Sequence, residues 1–310
     1  MFSGQGSQYY HMGKQLYFEN IVFRSWMSKI NDIVYQHAGF SVVDKIYNEE
    51  RSKADQFDDV LYTHLAIFMV EYSLARVLIE SGIKPDYVLG ASLGEFTSAA
   101  VTGAILVEDA LECLLNQVKL ITRYCQKGSM IAIIHSPELY NQTSMLSHHS
   151  ELAGINYYSH FIISGDNEKL VNVEKYLKSR KIIFQNLPVR YGFHSSNIDP
   201  IGGEYKKSLC KFSFEKPKIP IISCLSSSII KDVSSEHFWN VVRQPIQFQK
   251  TIIKLEEFNQ FKYIDLGPSG TFASFVKRIL SKDSLSEVYD VITPFGQEVN
   301  KLRKIKESFI

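Results

Sequence analysis

The sequence predicts an α/β fold in two parts, a larger one built on a mostly parallel sheet and a smaller one inserted into it. Three observations carry this expectation. The apolar run Tyr87-Val88-Leu89 ends in Gly90-Ala91-Ser92-Leu93-Gly94 and passes directly into the helical pattern Glu95-Phe96-Thr97-Ser98-Ala99-Ala100. Strand, tight turn and helix in that order form a nucleophile elbow, and its turn is so sharp that the residues flanking the serine must be small. Elsewhere strands alternate with helices, which implies parallel strands covered on both faces. Between residues 129 and 189 the rhythm changes to β-α-β-β-α-β, the order of a compact ferredoxin-like unit.

Taken in order, Phe2-Ser3-Gly4-Gln5-Gly6-Ser7-Gln8 has the small residues that bring backbone N–H groups close to a ligand, with a flexible terminus as the plain alternative. Helical patterns follow at 11–33 and 62–81, the second apolar nearly all round and therefore buried. A helix at 107–125 follows the elbow helix. The inserted unit reads as a strand at 130–134, a helix at 138–147, strands at 155–159 and 161–164, a helix at 167–180 and a strand at 182–184. After it come a Lys-rich helix at 204–210 and strands at 219–223 and 263–268. Helices near 238–242, 247–255 and 271–280, a strand near 288–292 and a polar terminal helix complete the pattern. The expected division is residues 1–127 with 191–310 as an α/β-hydrolase-like catalytic domain, and 128–190 as the ferredoxin-like insert.

With 310 residues the chain can bury a large core, and 45% hydrophobic with 22% charged residues is ordinary for a soluble globular protein. A net charge of +1 gives no reason to propose nucleic acid or an anionic membrane as partner. Cys113, Cys125, Cys210 and Cys224 are far apart, which points to reduced thiols in the cytosol rather than a disulfide framework or a zinc site. No signal peptide and no apolar run of membrane-spanning length is read, so the expectation is a cytoplasmic, soluble monomer.

Four separated motifs coincide: Gly4-Gln5-Gly6-Ser7-Gln8, Gly90-Ala91-Ser92-Leu93-Gly94-Glu95, Phe193-His194-Ser195 and Asp265-Leu266-Gly267-Pro268. Together with the inserted unit they resemble the malonyl-CoA:acyl carrier protein transacylase family, which includes the acyltransferases of polyketide synthases. The resemblance implies a Ser–His dyad and a covalent acyl-enzyme, with Ser92 as nucleophile and His194 as general base. An unassisted serine is a poor nucleophile at neutral pH. By the same match, the backbone N–H groups of Gln5 and Leu93 form the oxyanion hole. The segment Gln244-Pro245-Ile246-Gln247-Phe248 matches the stretch that orients the histidine, with Gln247 in that role. The family has a short strand before its glycine-rich loop. Here only Met1 and Phe2 precede Ser3, so either the natural start lies upstream or the strand is a stub.

Departures from the family speak to substrate. Where the resemblance implies an arginine that pairs with the malonyl carboxylate, this chain has Gln117. Lys119 and Arg123 lie about 200° and 240° round the same helix, so neither shares its face. Removing one partner of a buried ion pair costs about 3–5 kcal/mol, or about a hundredfold to a few thousandfold in binding. Gln117 thus reads as selecting a neutral acyl group, unless Arg190 or Arg243 reaches in. Ala91 replaces a histidine beside the nucleophile and His64-Leu65-Ala66 replaces Gln-Pro-Ala. Gly192 precedes Phe193 where a larger residue is common, which would widen the pocket wall. Ala91, His64, Gln117, Tyr191 and Phe193 are the expected substrate-binding residues.

Such a loss of arginine resembles the acyl hydrolases of trans-acyltransferase polyketide synthases. These release stalled short acyl groups from the phosphopantetheine arm of acyl carrier proteins. The implied function is hydrolysis of neutral acyl thioesters, with acyl carrier protein domains as partners and no tightly bound cofactor or metal. Transfer between CoA and carrier proteins is the alternative, and a non-catalytic carrier-binding subunit is the third reading. Lys206, Lys207, Lys211, Lys216 and Lys218 are either a docking surface for an acidic carrier or a solvated helix face.

Overall fold

The computed structural model describes residues 1–309. Its strands are β1 (Val88–Gly90), β2 (Gly128–Ile133), β3 (Glu151–Tyr157), β4 (His160–Asp166), β5 (Phe184–Asn186), β6 (Ile221–Ser223), β7 (Ser228–Ile230), β8 (Lys262–Asp265) and β9 (Glu287–Asp290). In the larger body β1 pairs parallel with β6, and β8 parallel with β9. The antiparallel β7, which the sequence reading lacked, returns on β6.

Met1 and Phe2 bridge the two pairs. The Phe2 N–H donates to Leu89 O at 2.8 Å, Ala91 N–H donates to Phe2 O at 3.1 Å, and Leu266 N–H donates to Met1 O at 3.0 Å. This two-residue strand runs parallel to β1 and joins β8 to it, so the glycine-rich loop starts at the centre of the sheet. That loop passes directly over the elbow.

Helix Val60–Glu80, started by the Asp59 carboxylate accepting from Leu61 N–H, lies buried along most of its length. By length and composition it is apolar enough to cross a membrane, contrary to the sequence expectation, but 83% of its most apolar window is buried inside the fold. There it packs against helices Ile21–Ala38, Gly94–Val101 and Val107–Tyr124.

Strands β2 to β5 form a four-stranded antiparallel sheet in the order β3-β4-β2-β5, covered by helices Glu138–Gln142, Ser144–Ser147 and Asn167–Ser179, within the stretch expected as the insert. Side chains of a strand alternate between faces. Ile131, Ile133, Phe161 and Ile163 therefore pack with Leu170 and Leu177 into an apolar cluster of the insert's own. Met130, Ala132, His160 and Ile162 take the other face and line the cleft that holds Ser92. The turn between β3 and β4 falls at Tyr158-Ser159 rather than at His160, so His160 is a strand residue facing the cleft.

The elbow glycines are demanded by close approach. A Cβ on Gly94 would lie 2.1 Å from Phe2 O, and one on Gly90 would lie 2.6 Å from Gly94 O. Overpacking of this kind costs about 1–3 kcal/mol. Gly94→Ala is expected to lose that much in urea unfolding, whereas Gly203→Ala, whose Cβ would meet nothing within 4 Å, leaves the midpoint unchanged or higher.

Candidate active site

Ser92 stands where β1 gives way to helix Gly94–Val101, with φ +55°, in the left-handed region that costs a non-glycine residue about 1–3 kcal/mol. The turn is closed by Gly94 N–H donating to Ala91 O at 3.0 Å and Glu95 N–H to Ser92 O at 2.9 Å. His194, with φ +59°, brings its Nε2 to 2.9 Å from Ser92 Oγ.

The histidine hangs from the end of helix Ser235–Arg243. The last carbonyls of a helix have no partner within it. Val242 O accepts the His194 backbone N–H at 3.1 Å, and Gln244 O accepts at 2.7 Å from Nδ1. Pro245 stops the helix and holds Gln244 extended, at ψ 156°, which leaves its carbonyl available. A carbonyl only accepts, so Nδ1 carries the proton and Nε2 of the neutral ring offers its lone pair to the serine hydroxyl. Burial pushes the His194 imidazole down to about 4, and neighbouring Arg243 works in the same direction against the favourable Gln244 contact. The ring is therefore neutral at physiological pH. Gln247, expected in the orienting role, is not the partner: its N–H donates to Cys224 O at 2.8 Å, and its carbonyl accepts from Thr251 as the next helix begins.

The glycine-rich loop covers the serine. A Cβ on Gly4 would sit 2.9 Å from Ser92 Cβ and 3.4 Å from its Oγ. Ser7 Oγ donates to Gly4 O at 2.8 Å, and because the peptide is trans and planar, the Gln5 N–H points the opposite way. Among the described residues neither Gln5 N–H nor Leu93 N–H has a partner in the protein. Upstream, Glu71 on helix Val60–Glu80 accepts the Ser3 N–H at 2.6 Å and contacts Ser3 Oγ at 2.8 Å, while Thr97 of the elbow helix donates to it at 3.0 Å. Burial raises this carboxyl to about 8.

A cavity of about 340 Å³ reaches Ser92 and His194, with Gln5, Ala91 and Phe193 among its walls and no Lys, Arg, Asp or Glu lining it. Gln117, His64 and Tyr191 do not line it. Gln117 is buried and donates to Tyr205 Oη at 3.2 Å. His64 lies behind Gln5, whose Nε2 approaches its Nδ1 at 2.6 Å and Thr63 Oγ1 at 2.7 Å. Tyr191 turns away, accepting from Lys127 at 2.8 Å. Neither spare arginine enters: Arg190 pairs with Asp58 at 2.7 Å and Arg243 with Glu151 at 3.2 Å and Asp199. Gly192 does not widen the pocket, because a Cβ there would meet Gly165 O and the Asn197 side chain.

Among the cavity residues that escaped sequence reasoning is a polar pair. Asn156 and His160, from β3 and β4, meet at 3.0 Å, and the His160 ring forms a triangle with Tyr157 and Phe275, each centroid 5.1 Å from its own. The period-2 alternation through Met130, Ala132 and Ile162 was the signal that would have found His160.

The chain as a whole has counterparts. Residues 1–307 match the family model described as acyl transferase domain. The chain is 48% identical over 306 residues to the polyketide biosynthesis acyltransferase homolog PksD of Bacillus subtilis, covering 99% of this chain and 94% of that one. It is 44% identical over 310 residues to the homolog BaeD of Bacillus velezensis, covering 100% and 96%. In fold it is similar to the acyltransferase domain from module 8 of the salinomycin polyketide synthase, with a TM-score of 0.88, 22% identity and coverage of 99% and 74%. It is likewise similar to MCAT from Streptococcus pneumoniae, with a TM-score of 0.79, 24% identity and coverage of 99% and 98%.

A base acts only when unprotonated, so reaction at Ser92 is expected to be flat through neutral pH and to fall on the acid side with a midpoint near about 4. The rate of Ser92 modification against pH measures this; an acid limb centred near the ordinary 6.5 of histidine is the contrary outcome.

Proposed function

This chain belongs to the acyl transferase domain family, of the polyketide-synthase type, and on that premise we propose that it releases neutral acyl groups from carrier-bound thioesters. In this reading residues 1–127 and 191–310 are the α/β-hydrolase-like catalytic body and 128–190 the ferredoxin-like insert. The insert's separate apolar cluster and its own antiparallel sheet support that division.

Ser92 and His194 act as a dyad. His194 Nε2 takes the hydroxyl proton as Ser92 Oγ attacks the thioester carbonyl, and the Gln5 and Leu93 N–H groups hold the oxyanion. The thiol of the phosphopantetheine arm leaves with the proton from His194. Water then repeats the cycle on the acyl-enzyme and releases a carboxylic acid. Each oxyanion donor is worth about a hundredfold or more in rate. The partner is an acyl carrier protein of a polyketide synthase; polyketide biosynthesis is the setting named for the two Bacillus relatives.

The observation that carries the substrate class is the uncharged cavity wall. With Gln117 in the arginine's place and Arg190 and Arg243 already paired elsewhere, a malonyl carboxylate entering this site would be desolvated without a cation. Acetyl and longer unsubstituted acyl groups carry no such cost.

Incubation with acetyl- and malonyl-loaded carrier protein, followed by intact-mass analysis, tests this. Free carrier and free acid are expected from acetyl carrier, and malonyl carrier is expected to react about a hundredfold or more slowly. Efficient malonyl loading contradicts the substrate class. Acyl mass appearing on an added second carrier instead of as free acid shows transfer rather than hydrolysis. Ser92→Ala is expected to abolish both the adduct and the turnover.

A further inference from the structure

His64 holds the Gln5 side chain through one ring nitrogen. Gln5 Nε2 has two hydrogens, one placed on Thr63 Oγ1 at 2.7 Å and the other on His64 Nδ1 at 2.6 Å. Nδ1 therefore accepts, and the proton of the neutral ring sits on Nε2. Gln117, on the neighbouring helix, donates to Tyr205 Oη at 3.2 Å. The His64 ring is further wedged against Phe193, the residue before His194, with centroids 5.4 Å apart.

We propose that His64 is a positioning residue which, through Nδ1, fixes the Gln5 side chain and with it the direction of the Gln5 backbone N–H over Ser92. The proposal rests on the reading of that N–H as the oxyanion donor. Two constraints then hold the Gly4–Gln5 peptide. Ser7 Oγ grips its carbonyl at 2.8 Å, and His64 with Thr63 grips the side chain that follows it.

The two nitrogens can be tested separately. An asparagine amide reaches the place of Nδ1, and a glutamine amide reaches the place of Nε2. A fluorophosphonate that phosphonylates Ser92 needs the dyad and the oxyanion donors but no thioester. His64→Ala is expected to lower its maximal inactivation rate about tenfold or more, with half-saturation unchanged. His64→Asn is expected to recover to within about threefold of the parent, and His64→Gln is not. Equal rates for His64→Asn and His64→Gln, or a loss confined to half-saturation, overturn the proposal. Urea unfolding of each variant separates misplacement from loss of fold, since a purely structural role lowers both variants alike. If the parent labels with the phosphonate yet turns over no thioester, the proposed function fails while the ordering of the His64 variants still decides this inference.

Discussion

The hydrogen bond from His194 Nδ1 to the Gln244 carbonyl, 2.7 Å long, is the contact on which the rest of the site depends. A carboxylate in that place would stabilise the imidazolium and raise its pKa. A carbonyl at a helix end fixes the ring's tautomer with far less charge, so burial prevails and the base stays neutral. The acceptor exists because Pro245 ends the helix one residue after Gln244 and frees a carbonyl that a longer helix would have consumed. The helix itself is pinned to the elbow: Glu95, on the elbow helix, accepts from His237 Nε2 at 2.8 Å and from Ser223 Oγ at 2.7 Å. One buried carboxylate thus sets the distance between the element that carries Ser92 and the element that holds His194.

The covering loop depends on a second support. Helix Val60–Glu80 is almost wholly apolar, yet Thr63, His64 and Glu71 are buried polar exceptions, all turned toward residues 3–5. Unpaired buried polar groups are expensive; the buried Ser73 hydroxyl of this helix has no partner among the described residues, whereas Thr63, His64 and Glu71 each have one. Their partners here are the loop that lies over the serine. The same helix that makes the core therefore also makes the lid of the site rigid, and the two-residue strand Met1-Phe2 completes that rigidity from the sheet side.

What the sequence disclosed follows the range of the interactions involved. The elbow was legible because its demands are local: strand, small residues and helix adjoin in the chain. Ser92 and the two glycines could be read from ten residues. His194 needed the coincidence of distant motifs. Its orienting partner was misassigned to Gln247 because a main-chain carbonyl has no residue signature; the Gln-Pro step after a helical pattern was the only clue. Tyr191 was grouped with Phe193 by proximity in sequence, but the tight turn through Gly192 points the two side chains apart. His160 was lost because the second strand of the hairpin starts one residue earlier than its reading from 161, enough to leave it out of the strand and off the cleft face. The uncharged cavity needed the folded chain altogether, since only there are Arg190 and Arg243 seen to be held by Asp58, Glu151 and Asp199.

The state of one ring decides most of this. Nitrogen-detected NMR of the His194 imidazole at pH 6, assigned by comparison with His194→Gln, reads its protonation directly. A neutral ring is predicted, with the proton on Nδ1 and a bare Nε2, unchanged as the pH is lowered to 5. A doubly protonated ring at pH 6, or a proton resident on Nε2, would contradict the picture of a buried base held ready by a backbone carbonyl.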